Sequence, residues 1–109
     1  MIQIPENKNI DILAGARNIE PLRDNIFEDK VCSFLNDLSK ELIRNKFELD
    51  SDIIAFSYWC RQSNINKFKR QFADNFKRVG IGMVFHIPPS NVPTNFAYSF
   101  VYGLISGNA

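Results

Sequence analysis

Cysteine and histidine are scarce in this sequence, and their scarcity excludes several kinds of site. The 109 residues include two cysteines, Cys32 and Cys60, and a single histidine, His86. Two cysteines cannot form the dense disulfide framework of a small secreted domain, and the spacing of these residues is not that of a metal site. We expect both cysteines to be reduced, buried thiols; the alternative is a catalytic thiolate, which would need a nearby cation or base.

A strong charge bias and a long apolar run are also missing. The net charge of +1 gives no electrostatic argument for a nucleic-acid or membrane partner. The longest apolar stretch lies near the C-terminus, is broken by polar and small residues, and is shorter than the about 20 residues that a membrane span needs. No basic start followed by a long apolar run indicates a signal peptide. We therefore expect a cytoplasmic protein.

What the chain does contain is a helical repeat of apolar residues, many of them phenylalanines. The repeat predicts helices at about 25–46, 52–61, 64–76 and 94–106. Asp24 or Asn25 is the expected N-cap of the first helix, Thr94 that of the last, and Gly107 suits a C-cap. Residues 1–24 are expected to form an extended arm or two edge strands, at 2–4 and 10–13.

Basic residues are interleaved with phenylalanines in the third predicted helix. Such a pattern is found on nucleic-acid-binding surfaces, but it is also that of a solvated helix face over an apolar core stripe. We favour the solvated face and expect no nucleic-acid partner. The residues concerned are Lys67, Lys69, Arg70, Lys77 and Arg78.

Residues 81–87 form a short apolar run that predicts a buried strand, because its apolar residues do not alternate with polar ones. Pro88 and Pro89 end the strand, since proline cannot donate to a sheet ladder. A strand that is apolar on both faces needs parallel neighbours, which the sequence does not supply. The fold class is therefore predicted as α/β, and residues 1–109 as an incomplete domain with an N-terminal arm (1–24), helices (25–79) and a strand-loop-helix unit (80–109).

The loop between this strand and the last helix is the candidate functional site. Ligands of α/β proteins bind beyond the carboxyl ends of the strands, which is where Asn91 lies in sequence. An amide held between two prolines can donate a hydrogen bond to an oxyanion. The alternative is an Asx-type turn, in which Asn91 bonds only the neighbouring backbone.

Residues 82–109 resemble the corresponding segment of LuxC-type acyl-CoA reductases, within the aldehyde dehydrogenase superfamily. Pro89-Ser-Asn-Val-Pro93 is similar to the superfamily loop Pro-Trp-Asn-x-Pro, and Ser106-Gly-Asn108 matches the small residues and Gly-Asn that close the following helix. Ser90 stands where the superfamily has tryptophan, which favours the reductase branch. Residues 54–61 are also similar to the reductases.

The resemblance implies that this chain is the helix-rich N-terminal part of an aldehyde dehydrogenase-like, nucleotide-binding domain. The implied activity is NADPH-dependent reduction of a fatty acyl thioester, acyl-CoA for example, to an aldehyde, through a thioester on a cysteine located beyond Ala109. Asn91 inherits the role of oxyanion stabiliser. Ile87, Pro88, Pro89 and Ser90 inherit contacts with the cofactor.

The resemblance also implies that the parent enzyme is an oligomer, which in some members acts with acyl-transferase or synthetase partners. One use of such an enzyme is to supply the aldehyde for luminescence. We expect the 109 residues alone to be inactive. The alternative is a stand-alone helical module that binds a partner protein through its phenylalanine-rich faces.

His86 is expected to be a buried histidine bonded to a backbone carbonyl, or else a general base. Gly103 is expected to allow close approach of a neighbouring strand.

Overall fold

The computed structural model describes residues 2–9, 11–21 and 23–108. Four α-helices and a two-stranded antiparallel sheet make it a small, helix-rich domain of mixed α/β content. The sheet pairs Ile2 with Ile19 and Gln3 with Asn18. In chain order the elements are β1 (Ile2–Gln3), β2 (Asn18–Ile19), α1 (Asp29–Arg44), a 3-10 turn (Lys46–Glu48), α2 (Ser51–Trp59), α3 (Gln62–Gln71) and α4 (Asn95–Ile105).

All four predicted helices are present, but the start predicted for the first one is wrong. Helix α1 begins at Asp29 rather than at about residue 25, and its N-cap is Glu28 instead of Asp24 or Asn25. Two backbone hydrogen bonds explain why the helix starts later: the Ile26 N–H donates to the Arg78 carbonyl and the Phe27 N–H donates to the Ile105 carbonyl. Phe27 also has a positive φ of 52°, which no helix accommodates.

The other helix ends differ from the prediction by a few residues. Helix α3 ends at Gln71 rather than at about residue 76, and the chain then turns so that Arg78 reaches back to the Asp74 carboxylate. Thr94 is the N-cap residue of α4, as predicted, although its side chain makes no capping hydrogen bond. Gly107 follows α4 with a φ of +80°, the left-handed conformation expected of a C-cap glycine.

Of the two edge strands predicted in the arm, only the first is present. It lies at residues 2–3, whereas its partner strand lies at 18–19 and residues 11–13 form no strand. Ile10, which belonged to the predicted second strand, lies outside the described residues. The pairing is extended by one hydrogen bond from the Ile4 N–H to the Arg17 carbonyl.

The prediction of a buried strand at 81–87 is wrong. These residues belong to no sheet, and from Met83 to Ile87 their side chains alternate between exposed and half-buried positions. Ile81, Phe85 and Ile87 are 77%, 84% and 85% exposed. The physical reason is the absence of a neighbouring strand in the part of the chain that the structure describes, since a strand is buried on both faces only when strands flank it and other elements cover it.

The hydrophobic core lies between the four helices. The fully buried side chains of Leu35, Cys60, Ile65 and Val101 come from α1, the end of α2, α3 and α4 respectively. Trp59 extends this core as the hub of an aromatic cluster. Its ring centroid lies 5.8 Å from that of Phe68, 5.0 Å from that of Tyr98, 5.4 Å from that of Tyr102 and 6.2 Å from that of Phe56.

Helix α4 is less buried than its composition predicts. Val101 and Ile105 face the core, but Phe96, Phe100 and Tyr102 are roughly half exposed or more. An apolar helix in a complete core is buried all round. The outer side of α4 is therefore an apolar surface that the described residues leave uncovered.

Candidate functional site

The predicted site residues occupy one irregular loop. Ile87, Pro88, Pro89, Ser90 and Asn91 are all exposed and precede the turn that leads into α4. Among the described residues, the Asn91 side chain makes no hydrogen bond, so the Asx-type turn is not formed. The amide therefore faces solvent from an exposed loop rather than the interior of the protein. The role of Asn91 as an oxyanion stabiliser stays a prediction.

The extended segment before this loop, residues 83–87, carries backbone groups without partners. None of its five N–H groups and none of its carbonyls bonds to another residue in the described part of the chain. Val84 and His86 lie half-buried on the side of the segment that faces α4, while Met83, Phe85 and Ile87 are exposed. The segment is thus a strand-like chain with one covered face and two free edges.

The start of the segment is held by a junction of two glycines and two polar residues. The Asp24 N–H donates to the Gly107 carbonyl at 2.9 Å, and the Gly80 N–H donates to the Asp24 carbonyl at 3.0 Å. Asn108 Oδ1 accepts from the Ile81 and Gly82 N–H groups at 2.7 and 3.2 Å. A Cβ on Gly80 would overlap the Gly107 carbonyl, and a Cβ on Gly107 would overlap the Asp24 carbonyl.

This junction explains the spacing of the Ser-Gly-Asn sequence that closes α4. Gly107 makes the close approach possible, and Asn108 accepts two backbone hydrogen bonds from residues 81 and 82. The predicted C-cap role of Gly107 indicated its conformation but not its partner, Gly80. Sequence reasoning missed the junction because its two halves, residues 80–82 and 107–108, lie far apart in the chain.

His86 is bonded differently from the prediction. Its Nδ1 lies 2.7 Å from Ser99 Oγ in the second turn of α4, so a hydroxyl and not a backbone carbonyl satisfies the ring. The ring also lies against Gly103, where a Cβ would be only 3.1 Å from His86 Nε2. The prediction that Gly103 allows a strand to approach is wrong, because the group packed against Gly103 is the side chain of His86.

The cysteines have the character of structural thiols. Cys60 is fully buried, and desolvation raises the pKa of its thiol to about 12. Cys32 is partly buried, and burial also raises the pKa of its thiol; its Sγ lies 3.6 Å from the Phe27 carbonyl. A nucleophilic cysteine needs a lowered pKa. Neither thiol fits a catalytic role, and the expectation of buried thiols is met by Cys60 and partly by Cys32.

A cavity lies towards the end of α4, away from Asn91. This cavity of about 640 Å³ is bounded by the end of α3, by residues 77–81 and by the end of α4. Tyr102, seven residues after Asn95, already lines the cavity, so with about 1.5 Å of rise per residue the cavity begins about 10 Å along α4 from its first residue. Its walls include Phe27, Phe68, Phe72, Val79 and Ile105.

Two further features concern metals and membranes. Within residues 2–9, 11–21 and 23–108, no three His, Cys, Asp or Glu side chains cluster as a metal site would require. In the same described ranges, every helix is too short or too polar to cross a bilayer.

Comparison of the chain with protein-family models, with curated proteins and with solved structures gives no match in any of the three cases.

Proposed function

We propose that this chain is part of an NADPH-dependent reductase of fatty acyl thioesters, and that Asn91 is its oxyanion donor. The proposal begins from the resemblance of residues 82–109 to acyl-CoA reductases. The observation that carries it furthest is the exposed, unbonded Asn91 amide, located between an extended segment and the start of α4. An amide with no competing partner is free to donate to a ligand.

In the proposed reaction a cysteine thiolate of the parent enzyme, from outside these 109 residues, takes the acyl group and releases the first thiol. NADPH, when bound, supplies the hydride that reduces the resulting enzyme thioester. The carbonyl oxygen becomes an oxyanion, and the Asn91 Nδ2 donates a hydrogen bond to it. Collapse of this tetrahedral species expels the cysteine thiolate and forms the aldehyde, so the thiolate returns to its starting state.

The residues before Asn91 suit a contact with the cofactor. Ile87 presents an exposed apolar side chain, and Pro88 and Pro89 restrict the backbone so that this surface keeps its shape. The backbone groups of residues 87–90 have no bonding partner among the described residues and remain available to a ligand. Residues 87–90 would therefore contact the cofactor through apolar surface and backbone groups, without a charged side chain.

The experiment is a kinetic comparison in the polypeptide encoded by the complete reading frame that contains these residues. Asn91→Ala is expected to lower kcat for acyl-CoA reduction by about 10²–10³, the usual effect of losing one oxyanion donor. Asn75→Ala, at an exposed asparagine whose side chain likewise makes no hydrogen bond among the described residues, is the matched control and leaves kcat unchanged. Equal activity of the Asn91 variant and the control contradicts the proposed role.

Two simpler results would overturn the wider proposal. A reading frame without a cysteine downstream of residue 109 leaves the reaction without a nucleophile. Reduction of an acyl-CoA by the 109-residue chain alone, followed by the absorbance of NADPH, contradicts the expectation that the chain is inactive without the rest of the enzyme.

A second candidate function is a stand-alone helical module that binds a partner protein. It is favoured by the well-formed core, in which Leu35, Cys60 and Val101 have no exposed surface. Such a module predicts a cooperative thermal transition and a monodisperse species for the isolated chain. The reductase fragment predicts self-association, because the apolar faces of α4 and of residues 83–87 are uncovered.

A further inference from the structure

We infer that a groove between α1 and α3 is a binding site for a small free α-amino acid with a polar side chain, held at its charged head by Asp29 and Lys69. The groove has a volume of about 230 Å³, and its walls come from α1 and α3 alone. Neither the Asn91 loop nor residues 81–87 contribute to it, so the inference does not use the proposed reductase activity.

The two helices run antiparallel along the groove, and two contacts fix their direction. The ring of Phe27, shortly before α1, lies 5.9 Å from that of Phe72, directly after α3, centroid to centroid. Asn36 Oδ1, about halfway along α1, accepts a hydrogen bond of 3.4 Å from the N–H of Gln62, the first residue of α3. The start of α1 therefore lies beside the end of α3.

Both walls of the groove are polar, whereas the facing sides of packed helices are usually apolar. On each helix three polar residues follow one another at intervals of four and then three, which places them on one face. They are Asp29, Ser33 and Asn36 on α1, and Gln62, Asn66 and Lys69 on α3. Among the described residues, a single hydrogen bond crosses the groove, the one between Gln62 and Asn36. The remaining polar groups of the walls are therefore available to a ligand.

Two opposite charges lie at one end of the groove. Asp29 is in the first turn of α1 and Lys69 in the last turn of α3, so the antiparallel arrangement brings them to the same end on opposite walls. Neither forms an ion pair within the described residues. Both act on the thiol of Cys32 in the same groove: burial is the main cause of its raised pKa, which Lys69 lowers and Asp29 raises.

This pair of charges complements the head of a free amino acid, which carries an ammonium and a carboxylate on one carbon atom. The ammonium would bind the Asp29 carboxylate, and the carboxylate would bind the Lys69 ammonium. With the head at that end, the side chain of the ligand points towards Asn36 and Gln62. The amide groups there suit a hydroxyl or an amide rather than an apolar side chain.

The volume limits the size of the ligand. Sites for drug-sized molecules usually measure about 300–1,000 Å³, so this groove is smaller. At about 30 Å³ for each water-sized group, it has room for about eight such groups. Serine, threonine and asparagine are of this size.

The test is a titration of the whole 109-residue chain with L-serine, followed by nitrogen–proton correlation NMR. The expected result is a saturable shift of the backbone amide signals of residues 29–36 and 62–69. Ser33→Trp places an indole in the middle of the groove and is expected to weaken binding about tenfold or more, because the indole and the ligand need the same space. Ser63→Trp, at an exposed serine of α3 outside the groove, is the matched control and binds normally. If Ser33→Trp does not fold, Asn66→Trp blocks the groove from the opposite wall.

The charged head is tested with two analogues of serine that each lack one charge. Lys69→Gln is expected to weaken L-serine binding about twofold to fivefold, the effect of one exposed charge pair, and to leave the binding of ethanolamine, which has no carboxylate, unchanged. Asp29→Asn is expected to weaken L-serine binding to the same extent and to leave the binding of 3-hydroxypropanoate, which has no ammonium, unchanged. Lys67→Gln and Asp37→Asn, at exposed residues of the same two helices outside the groove, are the controls.

Three outcomes would overturn the inference. These are the absence of saturable shifts in residues 29–36 and 62–69, equal losses in Ser33→Trp and Ser63→Trp, and binding of L-leucine as tight as that of L-serine. Asn91→Ala is expected to bind L-serine normally. A loss of reductase activity with intact serine binding, or the reverse, therefore separates failure of the proposed function from failure of this site.

Discussion

Replacing Gly107 with alanine tests the junction that connects α4 to the extended segment. The substitution adds one methyl group at a position where the backbone has a φ of +80° and where the Asp24 carbonyl leaves no room for a Cβ. Two independent costs follow. Placing an L-residue in the left-handed conformation lowers the free energy of unfolding by about 1–2 kcal/mol. The overlap must also push Asp24 away from Gly107 and Gly80.

Displacement of Asp24 breaks two backbone hydrogen bonds, from the Asp24 N–H to the Gly107 carbonyl and from the Gly80 N–H to the Asp24 carbonyl. Each contributes about 0.5–1.5 kcal/mol to stability. Together with the conformational cost, Gly107→Ala should lower the free energy of unfolding by about 2–5 kcal/mol. This is a large part of the about 5–15 kcal/mol that holds a typical domain folded. Urea denaturation followed by far-UV circular dichroism measures it.

Two other glycines separate the two costs. Gly15 has a φ of +94° and no atom within 4 Å of the place that an added Cβ would occupy, so Gly15→Ala isolates the conformational cost. That cost is at most about 2 kcal/mol. Gly80 has an ordinary φ but no room for a Cβ, so Gly80→Ala isolates the overlap. The expected order of destabilisation is Gly107 first, then Gly80, then Gly15. A Gly107→Ala variant as stable as the Gly15→Ala variant would refute the close approach.

Three further predictions concern the core and the exposed segment. Ser39→Ala should lower the free energy of unfolding by about 1–3 kcal/mol, because the buried Ser39 hydroxyl donates a 2.6 Å hydrogen bond to the Ser57 carbonyl; an unchanged urea midpoint would contradict it. Burial raises the pKa of the Cys60 thiol to about 12 in the folded chain, so the folded state keeps its proton to a higher pH than the unfolded state does, and the free energy of unfolding should fall as the pH rises from about 9 towards 12. Cys60→Ala should show a smaller fall in the urea midpoint over that range. An equal fall in the variant would show that the Cys60 thiol does not cause the pH dependence. Phe85→Lys should reduce self-association measured by light scattering, since it places a charge on an unpaired strand-like edge. Phe47→Lys, at a similarly exposed side chain on the 3-10 turn, should reduce self-association less. Equal reductions in the two variants would contradict a role for the edge.

The helices were predictable because their signal is local. The apolar repeat in α1 places Leu35 and Leu38 on one face, and the structure buries Leu35 fully and Leu38 partly. The start of α1 was not predictable, because it depends on bonds from Ile26 and Phe27 to residues 78 and 105. Those contacts follow from the arrangement of the helices in space, and no pattern near residue 25 encodes them.

The candidate loop was predictable only as a position. Thr94 marked the start of α4, which begins at Asn95, whereas the strand that Pro88 and Pro89 were predicted to end is not formed. The cavity was not predictable. Its walls come from residues 26–27, 68–81 and 102–108, which are brought together by tertiary packing.

The failed strand prediction identifies the feature on which the two proposed functions differ. Residues 81–87 have a composition that requires cover on both faces, yet in the structure only the side bearing Val84 and His86 lies against another element, α4. The other side exposes Phe85, and the backbone edges of residues 83–87 have no partners among the described residues. A stand-alone module would need a bound partner to cover this segment, because its exposed apolar side chains and free edges favour aggregation. A larger α/β enzyme would cover it with further strands, and the same apolar side chains would then become core. The pattern that misled the strand prediction is therefore an argument that the segment is covered, by further strands in the reductase proposal and by a partner protein in the stand-alone module.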